Sequence, residues 1–99
     1  MIESALQSAI IKRLDAAPDI WWVNVRGDGF QRGGIPDILM SLGGRFVGLE
    51  LKTKKGIAAR RQRLEIAKIK ASGGVAEVIR SVDELDTLIE TLREQRTQK

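Results

Sequence analysis

Asp37, Glu50 and Lys52 are residue types that do phosphate chemistry when they converge. Asp37 closes a Gly34-Ile35-Pro36-Asp37 stretch, and twelve residues separate it from Glu50-Leu51-Lys52. Glu50 and Lys52 are two apart, so on a strand both project from one face. Two carboxylates a few ångströms apart repel, and one proton or one cation must sit between them. Mg²⁺ suits such a pair because it takes few carboxylates and keeps several waters. It would acidify a water and polarise a phosphoryl oxygen. Lys52 can orient the attacking water or neutralise growing charge. The Leu51 carbonyl, between the two side chains, is the natural further ligand. A plainer reading stands beside this one. A Pro-Asp pair also starts ordinary turns, and Glu with Lys on a wet strand face is worth only about 0–1 kcal/mol.

What the chain lacks narrows the choice. The 99 residues contain no Cys and no His. Thiolate nucleophiles, disulfides, imidazole bases and His- or Cys-ligated zinc are therefore excluded. Charge is unevenly placed: 17 Lys+Arg face 13 Asp+Glu overall. From Arg26 to Arg63 there are nine basic residues and three acidic ones, a net +6, and the remainder carries −2. A cationic segment attracts a polyanion, most commonly nucleic acid, although a solvated basic surface has the same composition. Asp37 and Glu50 both lie inside that segment.

These residues need a scaffold, and the patterns supply one. A helix is predicted over Ile2 to Ala16, stopped by Pro18. A strand follows from Asp19 to Val25 with apolar groups on both faces, which predicts cover on both sides. Gly27 to Gly34 is a loop, read as a substrate-facing flap in which Phe30 stacks on a base, or else is core. Strands are expected at Ile35 to Leu42 and Arg45 to Lys54, joined by a Gly43-Gly44 hairpin turn. That hairpin brings the neighbourhood of Asp37 across from Glu50. A helix over Ala58 to Ser72 turns Leu64, Ala67 and Ala71 inward, with Ile66 and Ile69 beside them, and Gly73-Gly74 caps it. A short strand spans Val75 to Ile79. Ser81 and Glu84 suggest a capping box for a last helix with Val82, Leu85, Leu88, Ile89 and Leu92 as its apolar stripe. Glu94 to Lys99 reads as a frayed tail. The order is α-β-β-β-α-β-α: a single α/β domain over residues 1–99, with a mixed sheet flanked by helices. One of the adjacent Trp21 and Trp22 is expected at an interface.

The ordered set Gly34-Ile35-Pro36-Asp37, Glu50-Leu51-Lys52, Gln62 and Gly73-Gly74 resembles the VRR-NUC (virus-type replication-repair nuclease) family. This family lies within the PD-(D/E)XK superfamily, and the resemblance runs from Glu3 to about Leu88. It implies a restriction-endonuclease-like core and Mg²⁺- or Mn²⁺-dependent cleavage of DNA. Asp37, Glu50 and the Leu51 carbonyl would be the metal ligands and Lys52 the catalytic lysine. Glu3 would match the N-terminal acid that completes the site through metal or metal-bound water, although it also suits the helix dipole as an exposed acid. Gln62 would match the glutamine of the helix after the active strand, or be a plain solvent-facing amide. Arg32, Lys54, Lys55, Arg60, Arg61 and Arg63 are candidates for DNA-backbone contacts.

Stand-alone, mostly phage-encoded members are homodimers that cleave four-way (Holliday) junctions, so the resemblance implies a C2 dimer acting on branched DNA. The alternatives are a flap or nicking nuclease of the same family, a non-catalytic branched-DNA-binding module, and a small interaction domain. The start lacks a basic targeting region, and no stretch is apolar enough to span a bilayer. The expectation is a cytoplasmic protein, bacterial or in a phage-infected cell, with no membrane partner.

Overall fold

The structure, a computed structural model, describes residues 2–25 and 33–97. The elements run α1 Glu3–Asp15, β1 Ile20–Asn24, β2 Ile38–Leu42, β3 Arg45–Leu51, α2 Arg60–Ala71, β4 Val75–Ile79 and α3 Val82–Thr97. The order matches the expected α-β-β-β-α-β-α. The strands form a four-stranded sheet, β1-β2-β3-β4. β1–β2 and β2–β3 are antiparallel, and β3–β4 is parallel.

One sheet face carries the core. Ile38, Met40 and Leu42 from β2, Val47, Leu49 and Leu51 from β3, and Ile79 from β4 pack against Leu6, Ile10 and Leu14 of α1 and Leu85, Ile89 and Leu92 of α3. The spacing of those helix residues places them on one stripe, and burying it is the main source of stability. Trp22 sits at the edge of this core and donates its indole N–H to Asp15 at 2.8 Å. The β2–β3 turn is Gly43-Gly44, both with positive φ (57° and 90°), the backbone a tight two-residue hairpin requires. The α2 C-terminus closes as a Schellman motif: Gly74 N–H reaches Ile69 O at 3.0 Å and Gly73 N–H reaches Lys70 O at 3.1 Å.

Several expectations are corrected. β1 is an edge strand with one open face: Trp21 is 66% exposed and Val23 36%. The helix on that side, α2, packs on β3 and β4 rather than β1. The inward face of α2 is also different. Leu64 is 49% exposed and Ala67 and Ala71 are exposed, whereas Glu65 is buried and Gln62, Ile66 and Ile69 are half-buried. The surface beneath α2 explains this. Toward Gly48 and Gly74 it accepts Ile69, and toward Glu50 it is polar and accepts Gln62. Glu94 to Thr97 continues α3 instead of fraying, because Arg93 and Arg96 both grip Asp19 at the entrance to β1. The capping pair at Ser81 is half as expected: Ser81 Oγ accepts from Glu84 N–H at 3.1 Å, but Glu84 reaches back to the Arg80 N–H at 2.7 Å. The flap reading of the 27–34 loop rests on Phe30 and Arg32, which lie outside the described residues.

Candidate active site

Asp37 lies one residue before β2, and the register pairs Ile38 with Leu49. Continuing that ladder by one step sets Asp37 opposite Glu50. Asp37 is held in place by a buried hydrogen bond: Leu51 N–H donates to Asp37 Oδ2 at 2.9 Å. In an extended strand the N–H and C=O of one residue point to the same edge, so the Leu51 carbonyl also faces the β2 side.

Glu50 is 1% exposed. Gln62 Nε2 donates to its Oε2 at 2.9 Å, and Lys52 Nζ stands 3.5 Å from the same oxygen. The other oxygen, Glu50 Oε1, is buried and has no hydrogen-bond partner among the described residues. Burial first, and then the negative charge of Asp37, push the Glu50 carboxyl from 4.5 up to about 7, with Lys52 opposing. A buried carboxylate with an orphaned oxygen beside a second carboxylate must take up either a proton or a cation. The donor set is all hard oxygen, which fits Mg²⁺ or Mn²⁺.

Gln62 does two jobs from one position. Its Oε1 accepts from Ala59 N–H at 2.7 Å, capping the first turn of α2, while its amide holds Glu50. The α2 N-terminus is thereby tied to the acid pair. Arg80 secures the chain that leaves the site, donating to the carbonyls of Thr53 (2.8 Å) and Gly56. Nothing in the local pattern marks Arg80, because its partners lie more than 20 residues away.

The other predicted residues are placed as follows. Glu3 is half-buried at the first position of α1. Among the described residues no three His, Cys, Asp or Glu side chains gather into a group that could hold a metal ion. Lys54, Lys55 and Arg60 are exposed around the exit of β3 and the start of α2. Arg63 donates to Ala58 O at 2.6 Å and thus braces the loop. Arg61 packs over the 33–34 turn, where a Cβ on Gly34 would come within 2.5 Å of the Arg61 carbonyl oxygen.

No protein-family model and no curated protein matches the sequence. A solved structure described as a VRR-NUC domain does match in three dimensions, with a TM-score of 0.74 and 26% identity. The match covers 89% of this chain and 94% of that one. The chain shares the fold of a VRR-NUC domain. This is a nuclease-domain fold, and Glu50 and Gln62 meet where the sheet and α2 touch. Among the described residues no helix is long and apolar enough to cross a membrane.

Proposed function

We propose that this chain is a Mg²⁺- or Mn²⁺-dependent, structure-selective DNA endonuclease. The observation that carries the reading is Glu50: a buried carboxylate with one orphaned oxygen, facing Asp37 and flanked by Lys52. Asp37, Glu50 and the Leu51 carbonyl would hold the metal. When bound, the ion supplies Lewis-acid polarisation of a phosphate oxygen and acidification of a water. The chain's own residues do the rest. Leu51 N–H fixes the Asp37 carboxylate, and Gln62 fixes Glu50, so neither must reorganise during the reaction. Lys52, only partly exposed, places an ammonium beside the reacting phosphate to orient the nucleophile and offset the developing charge. Gln62 touches Glu50, which makes it a positioning residue. Glu3 would complete the site through the metal or a metal-bound water. Arg32, Lys54, Lys55 and Arg60 would hold the DNA backbone, with Arg61 and Arg63 also bracing the loops.

The finer reading is a Holliday-junction resolvase working as a homodimer. A four-way junction needs two equivalent cuts, and a two-fold dimer supplies two equivalent sites. The test offers a four-way junction, a flap and a linear duplex side by side with Mg²⁺, Mn²⁺ or EDTA, and maps the products. Metal-dependent, symmetric paired nicks at the junction support the resolvase reading. Flap-only cutting overturns the resolvase and keeps the nuclease. Salt-sensitive junction binding with no cutting in any metal indicates a binding module and overturns both.

A further inference from the structure

Among the described residues, the sheet face that bears Glu50 also carries two exposed aromatics. The register aligns Trp21 of β1 with Ser41 of β2, and Ser41 with Phe46 of β3, so all three share one face. The next row toward the acids is Val23, Leu39 and Gly48. Trp21 is 66% exposed and Phe46 44%. The two rings stand two strand spacings apart, on the order of 10 Å, with only the small Ser41 between. Phe46 is four residues before Glu50 on β3, so the aromatic row lies about 13 Å along the strand from the acid pair.

The charge around this face says what would cover it. Neither row holds an acidic residue. α2 runs alongside from the acid pair, where Gln62 meets Glu50, to Phe46, where Ile69 and Gly74 close in. It carries Arg60, Arg61, Arg63, Lys68 and Lys70 against a single acid, Glu65, which already pairs with Lys68 at 3.4 Å. A cationic ridge beside an aromatic floor matches a nucleic-acid strand, with phosphates on the ridge and bases on the rings. A second copy would bring a second cationic ridge against the first.

We propose that Trp21 and Phe46 form a stacking platform for unpaired bases of the DNA, a few nucleotides from the phosphate held at Asp37 and Glu50. The inference rests on the reading of this chain as a DNA-acting domain. It identifies the part of the substrate recognised as unpaired bases rather than duplex.

Tryptophan emission tests it directly. Trp22→Phe leaves Trp21 as the sole indole. In EDTA, where no cutting occurs, this protein is titrated with a short oligothymidylate and with a blunt duplex of equal length. The platform predicts quenching of Trp21 by the single strand. It also predicts that Trp21→Ala weakens single-strand binding roughly 5- to 100-fold while duplex binding changes less than about twofold. Trp21→Phe should retain most of the affinity. Absent quenching together with unchanged single-strand binding by Trp21→Ala overturns the platform. So does a dimer that Trp21→Ala converts to monomer while both DNAs lose affinity equally, because the face would then belong to a second copy. If the unmodified chain cuts DNA with metal but Trp21 is not quenched, the platform alone fails. If Trp21 is quenched but no DNA is cut in any metal, the platform stands and the nuclease reading fails.

Discussion

Replacing Glu50 by Gln should stabilise the metal-free protein at neutral and alkaline pH, although it removes a residue central to the proposed chemistry. Glu50 is 1% exposed and its carboxyl is pushed from 4.5 up to about 7 by burial and by Asp37. Between those values the folded protein binds more protons than the unfolded chain, so stability falls as pH rises through the window and levels off above it. At about 1.4 kcal/mol per pH unit, the penalty from 4.5 to about 7 is about 3 kcal/mol. Lys52 already opposes the shift, so its contribution is contained in that figure. Gln keeps the shape, still accepts from Gln62, and offers Asp37 a donor instead of a charge. Urea unfolding in EDTA, followed by far-UV circular dichroism, should show Glu50→Gln more stable than the parent by about 3 kcal/mol at pH 8. The advantage should shrink steadily toward pH 4.5. Mg²⁺ or Mn²⁺ should raise the stability of the parent at pH 8 and leave the variant nearly unchanged. A variant less stable than the parent at pH 8 would refute the reasoning, since it would mean that the buried carboxylate is favourably paired.

Lys52→Met keeps the aliphatic stem and should lower metal-dependent nicking by roughly 10²–10³-fold while leaving the far-UV spectrum intact, measured on labelled branched DNA. Asp19→Asn should cost about 1 kcal/mol at pH 7, because Asp19 accepts from Arg93 at 3.1 and 2.7 Å and from Arg96 at 3.1 Å. Those guanidinium groups hold its carboxyl down from 3.8 to about 2, so this contribution is complete above pH 3.8 and fades as pH falls toward 2. Thermal unfolding at pH 7 and pH 2.5 reads the difference. Gly34→Ala should destabilise by more than about 2 kcal/mol, since φ is +90° and the new Cβ would meet Arg61 O at 2.5 Å. Gly44→Ala, with φ also +90° but nothing within 4 Å, should cost only about 1 kcal/mol in the same chemical denaturation experiment.

The site pair was legible because it depends on local rules. Gly43-Gly44 makes a tight hairpin, and a hairpin of that length places Asp37 against the Glu50 strand. Strand alternation along β3 likewise separates Val47, Leu49 and Leu51, which are core, from the face that bears Glu50. The misreadings of α2 and β1 share one cause: burial on the functional face does not follow hydrophobicity. α2 turns Gln62 and Glu65 inward and leaves Leu64 out, because part of the surface beneath it is the acid pair. β1 leaves Trp21 open because α2 stops at β3 and β4. The end of α3 is ordered by Asp19, 74 and 77 residues before its arginine partners, a separation no local pattern reports.

The central claim is that Asp37, Glu50 and Lys52 form a metal-dependent DNA-cutting site. The most direct measurement is nicking of a labelled four-way junction by the parent and by Asp37→Asn at matched junction occupancy. The parent should cut with Mg²⁺ or Mn²⁺ and stop in EDTA, and Asp37→Asn should bind the junction without cutting it. Equal cutting by Asp37→Asn, or cutting by the parent that persists in EDTA, would contradict the account.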